Sequence, residues 1–215
     1  MKLQSIAEIL EAADQIIDNI QKDLEVQKKI AGMGFPQKRV QDGIALRQQA
    51  QTMQDTKDSH YNEQWAISRQ LNQEADTAIT LFKEHAKIAR IAFRNEPVFL
   101  HALKIERFVR GQWHLIRQAQ HFYTQLTLSA TAMDAYGITQ PMLEQAQASI
   151  GAVLATKRTR TRKKGVAQDS TQEKRKAFME LKAWIIEFRK VARFAFRDNP
   201  QLLESFGIVV ASAVK

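Results

Sequence analysis

The segment Lys87-Ile-Ala-Arg-Ile-Ala-Phe-Arg-Asn-Glu-Pro97 recurs 103 positions later as Lys190-Val-Ala-Arg-Phe-Ala-Phe-Arg-Asp-Asn-Pro200. Extended to Ile105 and Ile208, the window keeps 9 identities in 19 positions. The same ungapped offset sets Gly34 on Gly137, Gln37 on Gln140, Ala45 on Ala148 and Glu84 on Glu187. A fixed period is the signature of one unit copied in tandem. The expected division is residues 1–103 as repeat 1 and 104–215 as repeat 2.

The repeat reads as helical. Only 8 Gly and 4 Pro interrupt 215 residues, which favours long helices over many turns. Helix A is expected over 3–31, with Ile6, Ile9, Leu10, Ala13, Ile16, Ile17, Ile20 and Leu24 recurring at the helical period. Gly32 and Gly34 stop it. Its counterpart A′ spans 105–135, with Phe108, Leu115, Ala119, Phe122, Leu126 and Met133 as its seam and Gly137 at its end. Helix B (37–53) follows Pro36, and B′ (140–155) follows Thr139 with Pro141 in its first turn.

Polar connections are expected at 54–59 and 156–170, ahead of helices C (61–94) and C′ (172–197). The seam of C reads Ala75, Ala78, Phe82, His85, Ala89, Ala92; that of C′ reads Phe178, Leu181, Ile185, Phe188, Ala192, Ala195. Pro97 and Pro200 end the long helices, and each is followed by a short cap. The expected fold is therefore all-α: a tandem duplication of a three-helix unit, about 103 residues each. Helices with a single apolar stripe must bury it against one another, so the two copies are expected to pack as one pseudo-twofold bundle.

Several chemistries are excluded or disfavoured. Cysteine is absent, which removes disulfides, thiolate catalysis and Cys-ligated metal. No Gly-x-Ser-x-Gly elbow occurs, and the lone Gly32-Met-Gly34 is a helix stop rather than a phosphate cradle. No Glu-x-x-His motif exists to build a carboxylate-bridged metal centre, and His85 sits on the seam where repeat 2 has Phe188. The expectation is a protein without catalytic residues, metal or cofactor. The longest apolar stretch, 208–214, is far short of the ~20 residues a membrane span needs. With no signal-peptide pattern at the N-terminus, a cytoplasmic location is expected.

Charge separates the copies. Residues 1–103 hold 13 Lys plus Arg against 14 Asp plus Glu, a net of −1; residues 104–215 hold 19 against 9, a net of +10. The densest feature is Lys157-Arg158-Thr-Arg160-Thr-Arg162-Lys163-Lys164, read as a basic loop. Its chemistry suits phosphates of nucleic acid, polyphosphate or anionic lipid, although the run itself has no aromatic residue for stacking. Lys190, Arg193 and Arg197 form a second basic stripe, echoing Lys87, Arg90 and Arg94.

Glu11, Asp14 and Asp18 mark one face of A, where A′ carries His114, Arg117 and His121, with Arg110 one turn earlier. This inversion suggests electrostatic complementarity in self-association or partner capture, strengthened when the histidines protonate. The leading functional expectation is a non-enzymatic scaffold or interaction protein. The alternative is a polyanion binder using 157–164 with Lys190, Arg193 and Arg197.

Overall fold

A computed structural model describes residues 5–126 and 131–209. The protein is all-α, with no strand among the described residues. Its helices are α1 (Ile6–Lys22), α2 (Leu24–Gly32), α3 (Gln37–Ala92), α4 (Pro97–Leu103), α5 (Gln112–Leu126), α6 (Thr131–Asp134), α7 (Gln140–Ala195) and α8 (Pro200–Ser205).

Local chemistry sets the ends. Ser5 Oγ accepts the Glu8 N–H at 3.1 Å, and the Glu8 carboxylate accepts the Ser5 N–H at 3.3 Å, a capping box that starts α1. Expected helix A is in fact two helices. Asp23, with extended backbone (φ −130°, ψ 108°), accepts the N–H groups of Glu25 and Val26 and begins α2. An aspartate oxygen competes well for these otherwise unpaired donors, so the chain breaks there. Gly34 and Gly137 both hold positive φ, 85° and 75°, where the chain reverses into a long helix. Expected helix A′ is shorter than predicted: α5 begins only at Gln112, and residues 127–130 lie outside the described residues.

The larger correction concerns B and C. They are one uninterrupted helix, α3, of 56 residues, and α7 matches it with 56. The stretches 54–59 and 156–170 are not loops. Polarity alone does not break a helix, and neither stretch contains proline. Their side chains bond along the helix instead. Gln51 donates to Asp55 at 2.9 Å; the hydroxyls of Thr159, Thr161 and Ser170 donate to carbonyls one turn back. Gly165, directly after the basic run, lies within α7.

The chain forms two compact units, and each draws on both 1–103 and 104–215. Unit 1 comprises the chain up to Tyr61 together with Val166 onward; unit 2 is Asn62–Gly165. A continuous helix cannot turn its two halves against each other, so the stripe on each half finds partners elsewhere in the chain.

In unit 1, Ile9, Ile16 and Ile20 of α1 are buried with Leu181, Ile185 and Phe188 of α7. Phe35 lies against Trp184 and Phe188, at ring-centroid distances of 5.9 and 5.5 Å. Trp184 Nε1 donates to the Arg39 carbonyl at 2.8 Å, and its ring occupies the space a Cβ would need on Gly43. Unit 2 is centred on Phe82, whose ring meets Phe122 edge-on at 5.4 Å, with Leu103, Leu126, Leu143 and Ile150 around it. His85 and Tyr123 share a buried hydrogen bond of 3.1 Å. The apolar stretch 208–214 lies mostly beyond the described residues, although Ile208 is buried in unit 1.

Two stability predictions follow from these contacts. Gly43→Ala adds a methyl into the Trp184 ring and should destabilise by about 1–3 kcal/mol despite alanine's helix preference. Gly165→Ala meets nothing within 4 Å, lies in a helix and should stabilise by about 1 kcal/mol. Chemical denaturation followed by circular dichroism measures both.

Burial holds the His85 imidazole below its ordinary range, so it stays neutral in the fold while the unfolded chain takes up a proton. Its contribution is complete above about pH 6.5 and shrinks as pH falls through that value. The drop in melting temperature between about pH 7.5 and about pH 5.5 should be smaller in His85→Phe.

Candidate nucleic-acid interface

Residues 157–164 belong to α7 and to unit 2. A helix spaces these side chains in a way a loop does not: Lys157, Arg160 and Lys164, three and four apart, share one flank. Two contacts fix this stretch antiparallel to α3. Arg160 Nε donates to Ser68 Oγ at 2.9 Å, and Lys163 Nζ donates to Glu63 Oε2 at 2.5 Å. Lys157 Nζ sits 4.0 Å from the ring centroid of Trp113, the second residue of α5. Arg158, Arg162 and Lys164 are exposed and take part in no ion pair among the described residues.

Most of the positive charge therefore remains available. Lys163 alone meets a carboxylate, whereas Arg160 and Lys157 engage a hydroxyl and an aromatic face, which leave their charge uncompensated. No Asp or Glu occurs within the run.

The aromatic component arrives from the neighbouring helix. Trp65 lies on α3 between Glu63 and Ser68, the two residues bonded by Lys163 and Arg160 of the basic stretch, and is 62% exposed. The Arg69 guanidinium lies 4.1 Å from the centroid of its ring. Trp65 and Ser68 are three residues apart and thus neighbours on the helix surface. A tryptophan ring with a guanidinium over one face is an ordered platform on the α3 segment that carries Glu63 and Ser68. Sequence reasoning missed Trp65 because it is distant from the basic run. The available signal was an isolated tryptophan, four residues before an arginine, in an otherwise polar segment.

The other predicted residues are placed as follows. Lys190, Arg193 and Arg197 are exposed and belong to unit 1, so they are not part of the cluster around Trp65. Of their echoes in unit 2, Arg90 is committed structurally: its guanidinium donates to the Ile105 carbonyl and lies 4.9 Å from the centroid of Phe108. In unit 1, Asp14 is held by Arg47 through two bonds of 2.7 and 2.8 Å, which keep Arg47 more firmly protonated than usual. Asp18 lies 3.8 Å from Lys22, and Glu11 is exposed. His114, Arg117 and His121 lie on α5 in unit 2, where His121 Nε2 donates to the Ala102 carbonyl at 2.8 Å; Arg110 is exposed just before it.

Among the described residues, no three His, Asp or Glu side chains are placed to hold a metal ion. No described helix is long and apolar enough to cross a membrane. The chain matches no protein-family model, no curated protein and no solved structure.

Proposed function

We propose that this chain is a duplicated helical protein that binds single-stranded nucleic acid along the Lys157–Lys164 stretch of α7. The observation that carries the reading is the exposed Trp65–Arg69 stack on the α3 segment whose Glu63 and Ser68 bond that stretch. Cations alone would suit any polyanion, because phosphate neutralisation releases counterions whatever the polymer. An exposed indole adds a preference for bases, since stacking contributes about 1–3 kcal/mol per base and tolerates any sequence.

Duplication is supported by matching positions in the two halves. α3 and α7 begin and end 103 residues apart, α4 and α8 begin at Pro97 and Pro200, and positive φ recurs at 34 and 137 and at 104 and 207. The divergence that separates the copies is one of charge, with the basic run present only in the second.

A second reading, a scaffold for a protein partner or a second copy, draws on a different surface. Met179 and Ile186 are 63% and 44% exposed and lie seven residues apart on α7 in unit 1, with exposed Ala183 between them. An apolar stripe of this kind favours partner binding that tolerates salt.

Fluorescence anisotropy with a labelled oligothymidylate of about 20 nucleotides tests the primary reading. Affinity should fall linearly on a log–log salt plot, with a slope of about −0.7 per phosphate contacted. Replacing the six basic residues of 157–164 by Ser should weaken binding at least about tenfold, and Trp65→Ala should cost about 1–3 kcal/mol. Lys190→Ser, Arg193→Ser and Arg197→Ser together should change little. Equal affinity for inorganic polyphosphate, with no effect of Trp65→Ala, would remove the nucleic-acid reading.

A further inference from the structure

We propose that a groove beside α5 in unit 2 is a second anion site, built for a phosphate group and separate from the basic stretch of α7. The groove has a volume of about 590 Å³ and lies between α5 and the 104–111 connection that precedes it. α5 contributes His114, Arg117 and His121; the end of α4 contributes His101. The connection contributes Lys104, Arg107 and Glu106. Glu106 is the one acid among these, and it is already engaged by His101 Nδ1 at 2.9 Å. Three permanently cationic side chains and three imidazoles thus surround the groove, opposed by one carboxylate.

The walls are fixed by side-chain bonds to the backbone. Gln118 Nε2 donates to the carbonyls of Lys104 and Arg107 at 2.5 and 2.9 Å, and its Oε1 accepts the Val109 N–H at 3.2 Å. His121 ties Ala102 to α5. One glutamine therefore holds three residues of the connection against the helix that carries Arg117. Binding groups set in advance lose less freedom when a ligand arrives.

An independent observation points the same way. Lys104 has φ 54° and ψ 38°, and it is the one non-glycine residue with positive φ among the described residues. The matching position in the other half is Gly207, at φ 66°. Glycine adopts this conformation without strain, whereas a lysine does not. The second half solves the same turn in the unstrained way, so the fold does not require lysine here. Lysine instead brings an ammonium to the rim of the groove. Repeat 1 offers no counterpart on α1: the positions of His114, Arg117 and His121 are Glu11, Asp14 and Asp18.

Phosphate is the ligand chemistry that fits. An arginine fork and several separate N–H donors suit a tetrahedral group with multiple charged oxygens. The groove volume suits a phosphate-bearing small molecule, which gives the class of ligand. A 5′-terminal phosphate of nucleic acid presents the same chemistry and is the alternative source.

Isothermal titration of the full chain with inorganic pyrophosphate tests the assignment. Wild type should bind one equivalent, and Arg117→Gln should weaken binding at least about tenfold. Lys104→Gly should weaken it too while raising the melting temperature, since it removes a cation and relieves strain together. A purely structural lysine would give the rise in melting temperature with binding unchanged. The six-fold Ser variant of 157–164 should retain pyrophosphate binding, which separates this site from the proposed nucleic-acid surface. A 5′-phosphate that strengthens oligonucleotide binding in wild type, but not in Arg117→Gln, assigns the group to a strand end; the absence of that effect assigns it to a small molecule. No pyrophosphate binding, or binding indifferent to both Arg117→Gln and Lys104→Gly, would overturn the proposal.

Discussion

Helical continuity from Gln37 to Ala92 and from Gln140 to Ala195 is the constraint on which the other features depend. Each of these helices carries an apolar stripe on both halves, yet a rod cannot bury its own stripes against each other. The partners must come from other segments, and the two compact units record how that demand is met. α1 and α2 cover the start of α3 and the end of α7; α5 is buried with the end of α3 and the start of α7. Had 54–59 or 156–170 been a true turn, each half of the sequence could have closed on itself and no such exchange would be needed.

The same continuity changes the meaning of the basic run. In a loop, eight residues with six charges would be a diffuse cloud. On a helix they are sorted by the 3.6-residue period: one side chain is committed to Glu63, two rest on neutral groups and the others face solvent. α3 then supplies what the run lacks, an exposed indole with its own guanidinium. Two cross-helix contacts join the run to the α3 segment that carries this indole. Arg47 and Asp14 show the opposite outcome, a charged pair whose members satisfy each other and leave little for an external ligand.

Much of this architecture was legible in the sequence because its signals are local. Gly34 and Gly137 end one helix and admit the next through backbone geometry, and Pro97 and Pro200 mark the ends of the long helices for the same kind of reason. The seam through Phe82, Ala89 and Phe188 follows from period alone, and all three are buried. Two features were read wrongly because opposing local preferences were nearly balanced. Residues 54–59 are polar but not helix-breaking, so they follow the helices on either side. Asp23 is tolerable within a helix but better as a cap, and it split helix A. The proposed binding surfaces were only half visible. The cations of 157–164 and the trio His114, Arg117 and His121 stood out, but Trp65, Lys104 and Gln118 gain their significance from contacts or backbone conformations that no linear pattern encodes.

The placement of the three tryptophans has a practical consequence. Trp184, 3% exposed, is the indole of unit 1, whereas Trp65 and Trp113 belong to unit 2 and differ in solvent contact. Each unit therefore contains its own intrinsic chromophore. Emission from a chain retaining only Trp184 tracks the integrity of one unit, while a chain retaining only Trp65 reports on surface events in the other, so cooperativity between the two becomes an optical question.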